Sequence, residues 1–298
     1  MSLSPTVFDR GLLVRRRRRA AAAGPVTFLL DRVAQDFSDR LSTVLRRFDV
    51  VVDLGTPTAA LRRALAPLDA VGPVIAAHPI IDRSAPGLQI VADEEALPFR
   101  EGSLDLVVSA LALQTVNDLP GALIQIRRSL RPDGLFLAAL LGGDTLTELR
   151  QAFAAAEAEV EGGVSPRVAP FADVRELGAL LQRAGFALPV TDVDRLTVRY
   201  DSVLALMHEL RRMAATNPLA ERRRSPLRRA TLMRMAELYA ERFADPDGRL
   251  RATFDVAWLS GWSPDPSQQQ PLRPGSAATR LATALGAREM PAGDRAGQ

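Results

Sequence analysis

The sequence predicts an α/β protein built on a doubly wound, mainly parallel sheet, and three observations carry that reading. Short Val/Leu-rich runs alternate with helix-spaced segments from residue 49 onward, which demands crossover connections. Val107-Val108 and residues 135–141 are nearly unbroken apolar runs, as strands buried on both faces require. Residues 91–150 read in quick succession as strand, acidic loop, strand, helix and strand.

The elements follow in chain order. Arg15 to Arg19 are five consecutive like charges before the Gly24-Pro25 break, and such a run reads as a solvated helix end. Leu29, Val33, Phe37, Leu41, Val44 and Leu45 recur at helical spacing and predict an amphipathic helix over 26–47. Residues 49–54 form a first strand, 58–66 a helix and 74–77 a second strand, with further strands at 88–91, 105–109 and 135–140. Helices are expected over 119–130 and, capped by Asp144, over 145–160. After the turn-rich stretch 161–170, a helix over 172–184 stops at Gly185, and 186–198 reads as two strands joined near Asp192. Residues 202–243 are helical and Arg-rich, with Leu204, Met207 and Leu210 on one face and Leu232, Met235, Leu238 and Tyr239 on another. Alternation over 253–259 predicts a final strand, and the Pro/Gln/Gly/Ser-rich segment past Trp262 is expected to be disordered at its end. The implied organisation is an arm and helix (1–48), a core (49–200), a helical insertion or lid (201–250), a returning core strand (251–265) and a tail (266–298).

Composition removes several chemistries. Without cysteine there is no disulfide, thiolate nucleophile or Cys-ligated metal. With only His78 and His208, a Ser-His-Asp triad or a multi-His metal site lacks its parts. All 38 basic residues are arginine, which excludes lysine Schiff-base chemistry and points to a GC-rich bacterial genome. The net charge is only +3, so the high isoelectric point reflects missing lysine and does not indicate a nucleic-acid partner. No apolar run reaches the ~18 residues of a membrane span, so no transmembrane segment is expected.

In such a sheet, ligands bind beyond the carboxyl ends of the strands where the strand order reverses. The first strand ends in Asp53-Leu54-Gly55, the place for a cofactor loop, but Pro57 stands where a second glycine would let backbone approach a ligand. A ligand loop and an ordinary strand-to-helix turn both agree with these residues. Asp93-Glu94-Glu95 can accept a hydrogen bond from an adenine amino group, or can simply cap a helix. Asn117-Asp118 reads as the start of the next helix, His78 as a loop histidine, and Trp258 and Trp262 as core and rim aromatics. Arg222 to Arg224 with Arg228-Arg229 form either the wet face of a helix or a patch for an acidic partner.

The order of these pieces resembles the class I S-adenosylmethionine-dependent methyltransferases. The shared motifs are Asp93 to Phe99, Leu104 to Val108 and the Leu130 to Gly134 hairpin. Val7-Phe8-Asp9-Arg10, residues 92–99, Val116 to Pro120, Gly142-Gly143-Asp144-Thr145-Leu146, Ser165-Pro166 and Gly261-Trp262 are similar, more narrowly, to the mitochondrial complex I assembly factor 5 (arginine hydroxylase) family and its bacterial relatives. The malonyl-carrier-protein O-methyltransferases of biotin synthesis are similar at greater distance. The resemblance implies a Rossmann-like, seven-stranded class I methyltransferase fold with S-adenosylmethionine on Asp53, Gly55, Asp93, Glu94 and Ser109. It implies a protein or carrier-protein substrate, a respiratory complex I subunit among the candidates, and a lid after Ser202. No catalytic residue and no metal ligand is assigned. Because the similarity begins at residue 7, a bacterial cytoplasmic location without a transit peptide is expected.

The departures fall in one pocket. The family loop Asp-Leu-Gly-Cys-Gly-x-Gly is here Asp53-Leu54-Gly55-Thr56-Pro57-Thr58-Ala59; the position nearest the acid that holds the ribose is His78, with Asp82 four residues on as the alternative; and Gln114-Thr115 stand in place of His-Trp. Two readings stand: a methyltransferase-like enzyme, or a non-catalytic assembly or interaction protein on the same fold.

Overall fold

One seven-stranded sheet in the order β3-β2-β1-β4-β5-β7-β6 organises the chain. The computed structural model describes residues 6–82, 85–269, 276 and 279–287. The strands are β1 (Val51–Leu54), β2 (Val74–His78), β3 (Gln89–Val91), β4 (Leu104–Ala110), β5 (Leu130–Gly142), β6 (Ala187–Tyr200) and β7 (Leu250–Trp262). The described helices are α1 (Arg10–Ala22), α2 (Phe28–Ser42), α3 (Ala60–Leu65), α4 (Leu119–Ser129), α5 (Thr147–Glu161), α6 (Val174–Arg183), α7 (Val203–Arg212), α8 (Arg229–Phe243) and α9 (Leu281–Ala284). Neighbours among β1 to β5 run parallel, whereas β7 is antiparallel to both β5 and β6. Strand order reverses between β1 and β4, and a crevice opens at their carboxyl ends.

Side chains alternate across a strand, so each strand divides its apolar residues between two cores. Val51, Leu106, Val108, Leu135 and Leu137 meet α2, α5 and α8 on one face. Val52, Val107, Phe136, Ala138 and Leu140 meet α4 and α6 on the other. On the first face, Phe37 of α2 is fully buried, with its ring 4.9 Å from that of Trp258, and the Arg40 guanidinium lies 4.2 Å from the same indole.

Several elements differ from the sequence reading, each for a physical reason. The arginine run lies inside α1, a helix of its own, and α2 ends at Ser42, five residues before the expected limit. Residues 187–200 form one continuous strand, because β6 is an edge strand whose charged residues reach water; its pairing with β7 shifts register between Ala187 and Val190. Asp144 does not cap α5. Its carboxylate pairs with Arg195, and the helix starts after Leu146 in a left-handed conformation. Arg222 to Arg224 lie outside a helix, since α8 begins at Arg229.

The segment that begins at Asp265 is a second unit. It contains α9 and a turn in which the Asp265 carboxylate accepts hydrogen bonds from the backbone N–H and hydroxyl of Ser267. The disorder expected at the chain's end falls on residues outside those described.

Replacing Phe37 with Ala removes the ring that joins α2 to Trp258, and the expected cost is about 3–5 kcal/mol. Urea unfolding of the variant against the parent, at unchanged m-value, checks it.

Candidate functional site

The crevice lies where β1, β2 and β4 end. Asp53, the third residue of β1, is 3 % exposed. One of its oxygens, Oδ1, has no hydrogen-bond partner, and Arg62 Nε stands 3.8 Å from the other. Burial pushes the Asp53 carboxyl up to about 7, against the lowering effects of a hydrogen bond from Thr56 and the charge of Arg62. Gly55 takes a positive φ of 74°, a conformation that favours glycine.

The rest of the loop closes on itself. Thr56 Oγ1 accepts the backbone N–H of Ala110 at 3.0 Å, Thr58 Oγ1 accepts that of Ala60 at 3.2 Å, and Pro57 has no N–H to offer.

His78 ends β2. Its Nδ1 lies 3.0 Å from the backbone N and 2.8 Å from the backbone O of Ile80, and its Nε2 has no partner. Burial, followed by the charge of Arg17, pushes its pKa down to about 4, so the ring is neutral at physiological pH.

Glu94 is fully buried. It receives Arg10 Nη2 in a short contact and Arg17 Nη1 at 3.3 Å, both from α1. Burial raises its carboxyl, and Arg17 and Arg10 more than offset this, leaving it below the usual carboxylate range. A β-carbon on Gly55 would stand only 2.5 Å from Glu94 Oε1, so Glu94 rests directly on that glycine. Asp93 is half exposed, pairs with Arg10 at 2.8 Å and accepts the backbone N–H of Glu95. Glu95 accepts the N–H of Asn117 at 2.6 Å.

Of the five residues assigned from sequence, Asp53 alone lines the main cleft, a space of about 680 Å3 that also borders Pro57, Arg62, Arg63 and His78. Gly55, Asp93 and Glu94 form the adjoining buried cluster. Ser109 is fully buried and its hydroxyl donates to Leu54 O at 2.7 Å, so it ties β4 to β1.

A second cavity, a chamber of about 250 Å3, lies under α7. Leu146, Leu149, Phe153, Met207 and Leu210 form apolar walls. Gln114 turns an unpartnered buried Oε1 toward this region, and Arg17, Arg167 and Arg211 supply the charged positions; no Asp or Glu is among the lining residues. Arg17 and Pro57 border both cavities.

The sequence reading missed what holds the roof. Asn117 Oδ1 accepts the N–H groups of Val7 and Phe8 at 2.8 Å, and Arg16 donates to the carbonyls of Thr216 and Asn217. Asp9 caps α1 by accepting the Leu12 N–H and pairs with Arg222. The Phe-Asp-Arg and Val-Asn-Asp motifs are therefore two halves of one clasp. The available signal was their joint presence; their contact, 110 residues apart in sequence for Val7 and Asn117, was not visible.

S-adenosylmethionine fits these residues poorly. The loop that would cradle it presents hydroxyls already engaged and a proline without an N–H, and the end of β2 offers His78 where the resemblance implies an acid for the ribose, leaving Asp53 and Asp82 as the carboxylates among the described residues that line the cleft.

Residues 48–138 match the family model described as a methyltransferase domain. The chain is 39% identical to the mitochondrial arginine hydroxylase NDUFAF5 of Mus musculus, over 91% of this chain and 81% of that protein. It is 38% identical to the Homo sapiens protein of the same name, with the same two coverages. A malonyl-[acyl-carrier protein] O-methyltransferase of Laribacter hongkongensis is 44% identical over 60% of this chain and 58% of its own length. Among solved structures, a methyltransferase-type protein of Bacillus halodurans superposes with a TM-score of 0.52 at 13% identity, over 78% of this chain and 99% of that one. The YcgJ protein of Bacillus subtilis gives 0.52 at 14% identity with the same coverages. These last two likenesses establish the class I methyltransferase fold.

Two expectations follow. Glu94→Ala strands Arg17 as an unpaired buried cation and leaves Arg10 with Asp93, and a loss of about 3–5 kcal/mol is expected in chemical denaturation. Asp53 has a raised folded pKa, so the native state binds its proton more tightly than the unfolded chain, and its ionisation erodes stability as pH rises from about 4 to about 7. Asp53→Asn should therefore gain on the parent by up to about 1.4 kcal/mol per pH unit across that window. His78 acts oppositely. Its depressed folded pKa makes the unfolded chain the better proton binder between about 4 and 6.5, so its contribution to stability is lost as pH falls through that range. Denaturation midpoints of parent and variant at several pH values separate the two groups.

Proposed function

The chain belongs to the family of the arginine hydroxylase NDUFAF5, and from that premise we propose that it is a methyltransferase-fold protein that binds a protein- or carrier-borne group without S-adenosylmethionine-dependent turnover. This is the second of the two readings the sequence left open. The single observation that carries it is the contrast between the two cavities: the cofactor cleft has lost its ribose acid and glycine loop, while the chamber under α7 keeps continuous apolar walls.

The chamber also argues for the kind of group received. Among the described residues no carboxylate lines this space, so a guanidinium would find only neutral acceptors there, weaker than a carboxylate. Apolar walls with an exposed Arg211, Arg167 being held by Glu157, suit an aliphatic chain with a neutral or anionic end, in keeping with the malonyl-[acyl-carrier protein] O-methyltransferase relative. The partner is accordingly a protein or carrier protein, with a respiratory complex I subunit tested first. Nucleic acid is disfavoured because arginines of both clusters are engaged internally: Arg16 on carbonyls, Arg17 on Glu94, Arg222 on Asp9 and Arg223 on Glu161. The all-arginine basic composition supports a bacterial source. Among the described residues, no helix is long and apolar enough to cross a membrane.

Calorimetric titration of the full chain with S-adenosylmethionine and S-adenosylhomocysteine is expected to show no binding up to millimolar ligand. A malonyl-loaded carrier protein is expected to bind, and Leu210→Trp, which fills the chamber, to abolish that binding. Micromolar S-adenosylmethionine affinity that is lost in Asp93→Ala would overturn the proposal and restore methyl transfer. Preferential capture of an arginine-bearing peptide, lost in Leu210→Trp, would overturn the assignment of the group.

A further inference from the structure

Three buried polar atoms without hydrogen-bond partners belong to residues that line the same cleft: Asp53 Oδ1, His78 Nε2 and Arg62 Nε. Unpaired polar atoms in a protein interior are costly; Arg62 Nε has the Asp53 carboxylate at 3.8 Å, and Asp53 Oδ1 and His78 Nε2 are left for a ligand to satisfy. The cleft's charge narrows the class. Where the class I methyltransferases that the sequence resembles are expected to carry an acid for the ribose, this chain has a neutral imidazole, while Arg62 and Arg63 stand on the adjoining turn of α3. Arg62 is largely buried and spends one nitrogen on the carbonyl of Pro86; Arg63 is exposed and makes no ion pair among the described residues.

We propose that this cleft binds a phosphorylated sugar or nucleoside monophosphate, with the phosphate on the guanidinium groups of Arg62 and Arg63 and the sugar hydroxyls on Asp53 and His78. A hydroxyl both donates and accepts, so it satisfies the Asp53 oxygen and serves His78 Nε2 in either tautomer. Charge-assisted hydrogen bonds from guanidinium to phosphate are the strongest contacts these residues can make. The volume of about 680 Å3 is far more than a bare phosphate fills and accommodates a nucleoside monophosphate. Asp53 and Asp82 are the carboxylates among the described lining residues, and Arg17 is held by Glu94, so the anion falls to Arg62 and Arg63. This assignment is independent of what the chamber under α7 receives, because it concerns the other cavity.

The test is calorimetry on the full chain with adenosine 5′-monophosphate, ribose 5-phosphate, adenosine, inorganic phosphate and S-adenosylmethionine. The monophosphate is expected to bind about tenfold or more tighter than adenosine or inorganic phosphate. Arg62→Gln should weaken it about tenfold, and Arg63→Gln, at an exposed position where folding is not at risk, severalfold. His78→Asp should repel the phosphate ester and lower its affinity further. Equal binding of adenosine and its monophosphate would show that phosphate is not read, and equal binding of inorganic phosphate that the hydroxyl pocket is not used; either overturns the proposal. So does the absence of binding by every phosphate ester, or an affinity unchanged in Arg63→Gln and Arg62→Gln together. Tighter binding of S-adenosylmethionine than of any phosphate ester would overturn this proposal and the loss of cofactor use with it. Carrier-protein binding, read separately, tests only the chamber.

Discussion

Glu94 is a carboxylate with no exposed surface, and a charge in that position persists only where it is paired. The pairing comes from Arg10 and Arg17, two turns apart on the same face of α1, so the buried acid dictates that α1 dock against the loop after β3. Docked there, α1 presents Arg16 to the carbonyls of Thr216 and Asn217 and places Phe8 and Leu13 against Ala169 and Leu219. The segment after α7 is thereby held over the ends of β4 and β5, and the chamber acquires its roof. One buried charge thus connects the loop after β3, the N-terminal helix and the chamber under α7. Its contact with Gly55 adds a steric condition, since any larger residue there would strike the carboxylate.

The sheet was legible because its signal is local. Val51, Val52, Val107 and Val108, and the apolar run of β5, announce strands buried on both faces without knowledge of their neighbours. Edge strand β6 was harder. Asp192, Asp194 and Arg195 interrupt its apolar pattern, which reads as a break in a sequence but is tolerated by a strand open to water on one side, where Arg195 pairs with Asp255 of β7 and Asp194 accepts the Trp258 indole N–H. The Gly-Gly-Asp-Thr-Leu motif was legible as a family mark but not as a device. Its threonine hydroxyl bridges Gly142 O and Asp255 O and accepts the N–H of Asp255, binding the end of β5 to β7. The motif is thus an architectural joint.

The candidate site was legible in half. The loop after β1 and the acidic stretch after β3 were located correctly, because strand ends can be read from apolar runs. What each side chain does there depended on partners distant in sequence: Glu94 lies 84 residues from Arg10 and 77 from Arg17. A run of five arginines carries no periodic signal that distinguishes a buried residue from a wet one, so Arg17 was unreadable as the cation at the junction of two cavities. Glu157 is another such case. It is fully buried on α5 and is satisfied by Ser165 and Arg167 across a turn, which explains why the Ser-Pro stretch belongs to the family pattern.

Arg17 and Pro57 border both cavities, so the cleft and the chamber share a wall made of a cation, paired with Glu94, and a ring. An acid at the end of β2 would add a carboxylate to a cleft that Asp53 and Asp82 already line, where Asp53 is shifted upward by burial. A neutral imidazole removes that repulsion. Likewise the glycines of the loop serve only a ligand that lies against the backbone; without one, Thr56 and Thr58 stabilise the turn through hydrogen bonds that glycine cannot make. The chamber is under none of these pressures, because its walls belong to α5, α7 and the clasp that Glu94 holds in place. The two cavities can therefore change their ligands separately while the fold between them stays the same.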